Sequence, residues 1–191
     1  EKIMREVLQE KEVNHEINEG DGAFYGPKFD FHLRDTLGRT WQCATIQLDF
    51  AQPENFDLEY TTEEGTKERP VMIHRVLYGS IERFLGILIE NCAGKFPLWL
   101  APAQAVVIPI SENQVAYAQK IAKELQKQVK NATGIFRVEV DTKDDTLEKK
   151  IRNAEMQKIP YMLIVGGREE EVGDEISLRK RDEGDVGTVK I

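Results

Sequence analysis

The sequence predicts an α/β protein in two parts. Residues 1–100 read as an α+β part built on an antiparallel sheet, and residues 101–191 as an α/β part with a mostly parallel sheet. Three observations carry that expectation. Phe29 to Asp35 alternates apolar and polar residues and is turned back by Leu37-Gly38-Arg39 into Trp41 to Phe50, the pattern of an antiparallel pair with one solvated face. Pro70 to Glu90 is a short apolar run, broken at Gly79-Ser80 and followed by helical spacing. From Ala105 onward, strand-like apolar runs alternate with amphipathic stretches, as in an open sheet with helices on both faces.

Composition narrows the class. The 191 residues leave room for one large or two small domains, and 40% hydrophobic content is enough to bury a core. No run of about 18 apolar residues occurs, so neither a membrane span nor a membrane partner is expected. The acidic, amphipathic start shows no signal-peptide pattern. Cys43 and Cys92 lie far apart in apolar segments and read as core thiols of a reduced, cytoplasmic protein. The net charge of −8 argues against nucleic acid as a partner. Nearly all of that excess lies in the first hundred residues, however. The second part is close to neutral and lysine-bearing, so it is the better candidate for a phosphate-contacting surface.

In chain order, Met4, Val7 and Leu8 predict a helix over residues 2–11, and Val13 to Ile17 a short strand. Gly20 and Gly22 open a loop leading to Ala23-Phe24-Tyr25-Gly26-Pro27-Lys28, where Tyr25 and Lys28 place a hydroxyl and a cation at one strand edge, as an anionic ligand needs. In the first strand Phe29, Phe31 and Leu33 share one face and Asp30, His32 and Arg34 the other; His32 reads as solvated. In the second, Cys43, Thr45 and Gln47 share a face, while Gln42 belongs by parity with Ala44, Ile46 and Leu48. If Gln42, Thr45 and Gln47 are to meet one ligand, this strand must bulge or end between them. Residues 51–69 are polar and read as a surface connection.

Ser80 then caps a helix whose apolar residues run nearly all round, which predicts a buried helix. His74, Arg75, Glu82 and Arg83 sit in that apolar context, and each needs a partner or a ligand. A domain limit falls near Leu100, after Gly94 and Pro97. Ala105 to Ile110 reads as a buried parallel strand, and Ser111 with Gln114 as a capping box. The helix that follows carries Tyr117, Ile121, Leu125 and Val129 on its apolar face and Lys120, Lys123, Lys127 and Lys130 opposite. Ile135–Val140, a helix over 146–157 with Lys149, Lys150 and Arg152 exposed, Tyr161–Val165 and Ile176–Leu178 complete the alternation, with an acidic turn over Glu169 to Glu175. Gly166-Gly167 alone is too little for a phosphate loop, which argues against a plain nucleotide-binding module.

The strand, glycine and Glu82-Arg83 at the head of an apolar helix resemble the third signature motif of class II aminoacyl-tRNA synthetases. Together with Met72-Ile73-His74-Arg75, Gly22 to Lys28 and Trp41 to Phe50, in that family's order, the chain is similar to the threonyl-tRNA synthetases. The resemblance implies a threonine–tRNA ligase that activates threonine with ATP and Mg²⁺ and transfers it to threonine tRNA. It implies that Tyr25 and Gln47 line the threonine pocket, and that Gln42, Thr45, Ser80 and Arg83 bind ATP or the adenylate. Lys28 and Arg83 would be the catalytic cations, and His74 a zinc ligand.

Residues 101–191 are similar to the family's anticodon-binding domain, which implies Arg152, Arg179 and Glu169 or Glu170 as anticodon contacts. Asp144 stands where the family has asparagine or aspartate, Thr146 replaces a lysine, and one extra residue in Glu169–Glu171 leaves the glutamate open. The family's first two motifs, with an arginine and the cysteine and histidine that complete the zinc site, have no counterpart in these residues. The resemblance therefore implies a fragment inactive alone, from a full-length homodimeric enzyme. A non-catalytic tRNA-binding paralogue, or a regulatory or dimerisation fragment, is the alternative. Retention of Tyr25, Lys28, Gln42, Gln47 and Arg83 favours the ligase.

Overall fold

The computed structural model describes residues 1–128, 130–131 and 134–190, which pack as two units, Glu1–Glu90 and Asn91–Ile191. In the first unit α1 (Lys2–Glu10) is followed by an irregular stretch. Val13–Ile17 forms no strand: Val13 and Ile17 are exposed, and no strand among the described residues pairs with them. β1 (Lys28–Arg34), β2 (Thr40–Asp49) and, further on, β5 (Met72–Val76) make an antiparallel sheet in the order β1-β2-β5. Between β2 and β5 lie α2 (Ala51–Asn55) and a small hairpin of β3 (Tyr60–Thr61) and β4 (Lys67–Glu68).

Asp35 pins the β1–β2 turn. Its carboxylate, 1% exposed, accepts the backbone N–H groups of Leu37 (3.0 Å) and Arg39 (2.8 Å), the Arg39 Nε–H (2.6 Å) and the Trp41 Nε1–H (2.8 Å). Burial works against the charge, but the Trp41 and Arg39 donors outweigh it and hold the group at about 2.

α3 (Ile81–Cys92) corrects the expectation of a buried helix. No residue of α3 is buried, and Ile81, Leu85 and Ile89 form an exposed stripe at helical spacing. The apolar girdle is real, but nothing among the described residues covers that side.

In the second unit β6 (Ala105–Pro109) leads through a 3₁₀ turn at Glu112–Gln114 into α4 (Val115–Gln128). Then come β7 (Lys130–Asn131), β8 (Gly134–Ile135), β9 (Val138–Val140), α5 (Leu147–Met156), β10 (Tyr161–Val165), α6 (Gly167–Val172), β11 (Glu175–Lys180) and β12 (Gly184–Lys190). Val129, expected on the apolar face of α4, lies outside the described residues, as does the side chain of Lys130.

The sheet order is β12-β11-β10-β6-β9. Its pairings β9–β6 and β6–β10 are parallel, whereas β10–β11 and β11–β12 are antiparallel. The sheet is thus evenly mixed where a mostly parallel one was expected. Residues 166–174 are too few for a parallel crossover, so the acidic stretch forms the short helix α6 and the chain returns antiparallel.

Alternating strand residues supply two cores. Ala105, Val107, Leu163, Val165 and Ile176 pack with Ala118 and Ile121 of α4 on one face. Val106, Ile108 and Met162 pack with Ala154 of α5 and Ile159 on the other. Lys150 is buried, contrary to its expected exposure, because its place on α5 faces the sheet; its Nζ donates to Pro109 O at 3.1 Å. Segment 96–102 is held by this unit: Arg181 donates to Phe96 O (2.9 Å) and Arg137 to the carbonyls of Trp99 (3.0 Å) and Ala101 (2.9 Å).

Candidate functional site

Strand register places Lys28, Gln47 and His74 on one rung across β1, β2 and β5. Side chains alternate along a strand, so the next rung on the same face carries Asp30 and Thr45. Pairing then shifts from Phe31↔Ala44 to His32↔Gln42 and leaves Cys43 without a partner. This β-bulge returns Gln42 to the face of Thr45 and Gln47, which strict alternation forbids. Gln42 Nε2 lies 3.2 Å from Thr45 Oγ1.

Gly79 seats against the bulge with φ +65°; a Cβ there would lie 2.7 Å from Cys43 O. That seating brings α3 down beside Gln42. Arg83 donates through Nη1 to Gln42 O (3.2 Å), and its guanidinium lies 6.0 Å from the Trp41 ring centre. The Ser80 hydroxyl donates to Glu82 (2.8 Å), and the Arg83 N–H reaches Ser80 Oγ at 3.4 Å.

Asp30 is a residue that the sequence reading did not single out. Its carboxylate accepts from Lys28 Nζ (2.5 Å), Gln42 Nε2 (2.6 Å) and Thr45 Oγ1 (2.8 Å). Burial pushes Asp30 up, yet these bonds hold it below the usual carboxylate range; the hydrogen bond to Asp30 in turn raises Lys28. The available signal was the i, i+2 spacing of Lys28 and Asp30 on one polar strand face.

Tyr25 enters from the loop before β1. Phe50 N–H donates to Tyr25 O (3.0 Å) and Leu48 N–H to Pro27 O (3.1 Å), strapping the loop onto β2, and the Tyr25 hydroxyl donates to Gln47 Oε1 (3.2 Å). An open cleft of about 580 Å³ beside Tyr25 is lined by loop residues, Phe50 and Glu54, without Lys28, Gln42, Thr45, Gln47 or His74, so it is not the space these five share.

His74 is fixed from behind by Asp49, a second residue the sequence reading missed. Asp49 is 1% exposed and accepts the N–H groups of Ala51 (2.9 Å) and Gln52 (3.0 Å) as well as His74 Nε2 (2.7 Å). The Gln52 and His74 donors hold Asp49 low, so it is an acceptor only. An ionised Asp49 can only accept, so His74 presents a proton on Nε2, and in the tautomer this selects the lone pair is on Nδ1. This suits His74 to be one metal ligand backed by a carboxylate. Among the described residues no group of three His, Cys, Asp or Glu side chains is placed to hold a metal.

In the second unit β10–β11 register puts Ser177 and Arg179 on the α5 side of the sheet, Arg179 opposite Met162. Glu169 joins that face, accepting from Ser177 Oγ (2.8 Å) and Gly166 N–H (3.0 Å); burial works against its charge, and these donors lower its pKa. Glu170 is exposed on α6. Arg152 is exposed on α5 and makes no hydrogen bond to Glu169 or Arg179. Arg179 Nε is buried without a hydrogen-bond partner among the described residues.

Both units match family models: the tRNA synthetase class II core domain (G, H, P, S and T) over residues 1–92, and the anticodon binding domain over residues 104–191. A threonine–tRNA ligase of Desulforamulus reducens is 54% identical over 98% of the chain, and one of Carboxydothermus hydrogenoformans 57% over 96%. The chain belongs to the threonyl-tRNA synthetase family. The chain spans 28% of the length of each of these ligases. Among solved structures, the RNA binding domain of threonyl-tRNA synthetase from Cryptosporidium parvum Iowa II superposes with TM-score 0.84 at 41% identity, covering 95% of this chain and 44% of that one. The putative threonyl-tRNA synthetase ThrRS-1 from Aeropyrum pernix superposes with TM-score 0.65 at 30% identity, covering the whole of this chain and 42% of that one. No helix among the described residues is long and apolar enough to cross a membrane.

Proposed function

We propose that residues 1–100 are the back part of the catalytic domain of a cytoplasmic, homodimeric threonine–tRNA ligase, and residues 101–191 its anticodon-binding domain. The family-model limits at 92 and 104 lie on either side of Leu100. In this reading the threonine carboxylate attacks the α-phosphate of ATP, releasing pyrophosphate with Mg²⁺. The threonyl group then passes to the 3′ end of threonine tRNA, and AMP leaves. Such chemistry asks for positioning and cationic stabilisation more than for covalent work.

The observation that carries the reading is the bulge at Cys43, which brings Gln42 onto the sheet face that Lys28, Thr45 and Gln47 share, with Arg83 and Ser80 at its edge. Lys28 and Arg83 would take the negative charge of the phosphate and the attacking carboxylate, Arg83 also lying along the adenine. Gln42, Thr45 and Ser80 would hold the adenylate. Tyr25 and Gln47, already bonded to each other, would line the threonine pocket.

His74 would supply one zinc ligand through Nδ1, with the other ligands from outside these residues. When bound there, zinc would be a Lewis acid able to take the amino and hydroxyl groups of threonine, which near-isosteric valine cannot match. Arg152, Glu169 and Arg179 would read the anticodon, with Arg179 Nε as a ready donor.

The test is threonine-dependent ATP–pyrophosphate exchange. The full-length ligase carrying this segment should exchange, and the 191-residue chain should stay at background. A full-length protein that binds threonine tRNA but does not exchange would make this a non-catalytic paralogue.

A further inference from the structure

We propose that Asp30 is a positioning residue of the adenylate site: one carboxylate that locks Lys28, Gln42 and Thr45 into a single constellation and decides which atoms they turn toward the ligand. This rests on the reading of the first unit as an aminoacyl-adenylate site.

The Asp30 side chain is 15% exposed, and its oxygens divide the work. Oδ2 takes Lys28, and Oδ1 takes both Gln42 and Thr45. The partners come from two strands and from both sides of the bulge, so no local turn or cap explains the cluster. Strand parity brings Lys28 and Thr45 to Asp30, whereas Gln42 reaches it only because Cys43 is extruded. The cluster is thus where the bulge becomes useful.

Donor and acceptor counting then sets the chemistry. An ionised carboxylate only accepts, so the Gln42 amide must present its NH₂ to Asp30, leaving Oε1 to accept from a ligand donor such as an ammonium or a ribose hydroxyl. The Thr45 hydroxyl gives its proton to Asp30 and can serve a ligand only as an acceptor. Lys28 keeps two N–H donors beyond the one Asp30 takes; its other acidic neighbour, Asp21, is 3.7 Å away. A structural ion pair would have needed Lys28 alone.

The experiment uses the full-length ligase carrying this segment and follows ATP–pyrophosphate exchange and thermal unfolding together. If the unsubstituted ligase does not exchange, the functional reading has failed and the inference with it. If it exchanges, Asp30→Asn should lower kcat by about 100-fold while KM for ATP moves by less than about 5-fold, because alignment rather than ground-state binding is lost. In the double variant with Lys28→Met, the cost should stay within about 3-fold of Lys28→Met alone, since residues acting as a unit are not additive.

Gln42→Ala and Thr45→Val, which strand no buried charge, form a second cycle that holds even if Asp30→Asn does not fold. Their combined loss should be at least about 5-fold smaller than the product of the single losses. Multiplicative losses in the Gln42/Thr45 cycle, or a soluble Asp30→Asn enzyme whose kcat stays within about 3-fold of the unsubstituted one, would overturn the proposal.

Discussion

Gly26→Ala tests how the tyrosine loop is held. Gly26 lies against β2 so closely that a Cβ would stand 2.1 Å from Leu48 O and 2.8 Å from Leu48 C, both backbone atoms that cannot rotate away. An ordinary contact needs about 3.4 Å, so the loop must withdraw by roughly 1 Å. The straps Leu48 N–H to Pro27 O and Phe50 N–H to Tyr25 O are 3.1 and 3.0 Å long. A withdrawal of that size takes both beyond bonding distance, and at about 0.5–1.5 kcal/mol each the loss is about 1–3 kcal/mol. Keeping the straps and accepting the overlap instead costs a similar amount, about 1–3 kcal/mol. Amide hydrogen exchange in the 191-residue chain reads this locally. Protection at Leu48 and Phe50 should fall by about 5- to 150-fold, while β10 amides in the second unit stay unchanged. In the full-length ligase the same substitution should raise KM for threonine, because the Tyr25 hydroxyl leaves Gln47. Unchanged protection at Leu48 and Phe50 would mean the loop is not held by its close approach, and the account of Tyr25 would fall with it.

Acid should loosen the β1–β2 turn. Asp35 is depressed to about 2 in the fold against a usual 3.8, so its contribution is present above 3.8 and is lost as pH falls toward about 2. Trp41 fluorescence should report the change, and Asp35→Asn should abolish that pH dependence; a variant with the original acid profile would refute the assignment. Asp49→Asn in the full-length ligase should weaken zinc binding by about 10- to 100-fold, because an amide N–H facing Nε2 forces the His74 proton onto Nδ1. Metal content and a chelator titration would measure it, and unchanged affinity would show that Asp49 does not set the tautomer. Arg179→Ala should reduce discrimination among anticodons, since a guanidinium bonds base edges; an equal loss of affinity for all tRNAs would make Arg179 a phosphate contact.

Much of this protein is determined by its sequence alone, wherever a local period settles the matter. Alternation and turn residues place β1, β2, β6 and β10, helical spacing places α3, α4 and α5, and the motif blocks name the family. Lys28, Thr45 and Gln47 share a face because a strand has a period of two. Only the tertiary structure decided what depends on a partner strand or a second layer. Among the described residues, Val13–Ile17 has strand-like residues but no strand paired with it, and α3 has apolar residues nearly all round but no cover. Lys150 is written like a surface lysine, yet packing of α5 on the sheet buries it against Pro109 O. The final strands run antiparallel because a short connection cannot cross the sheet, a limit of length that composition does not show. Gln42 makes the point most sharply: its own parity assigns it to the apolar face. Pairing with β1 extrudes Cys43 and brings Gln42 across to Asp30, since register belongs to two strands and cannot be read from one.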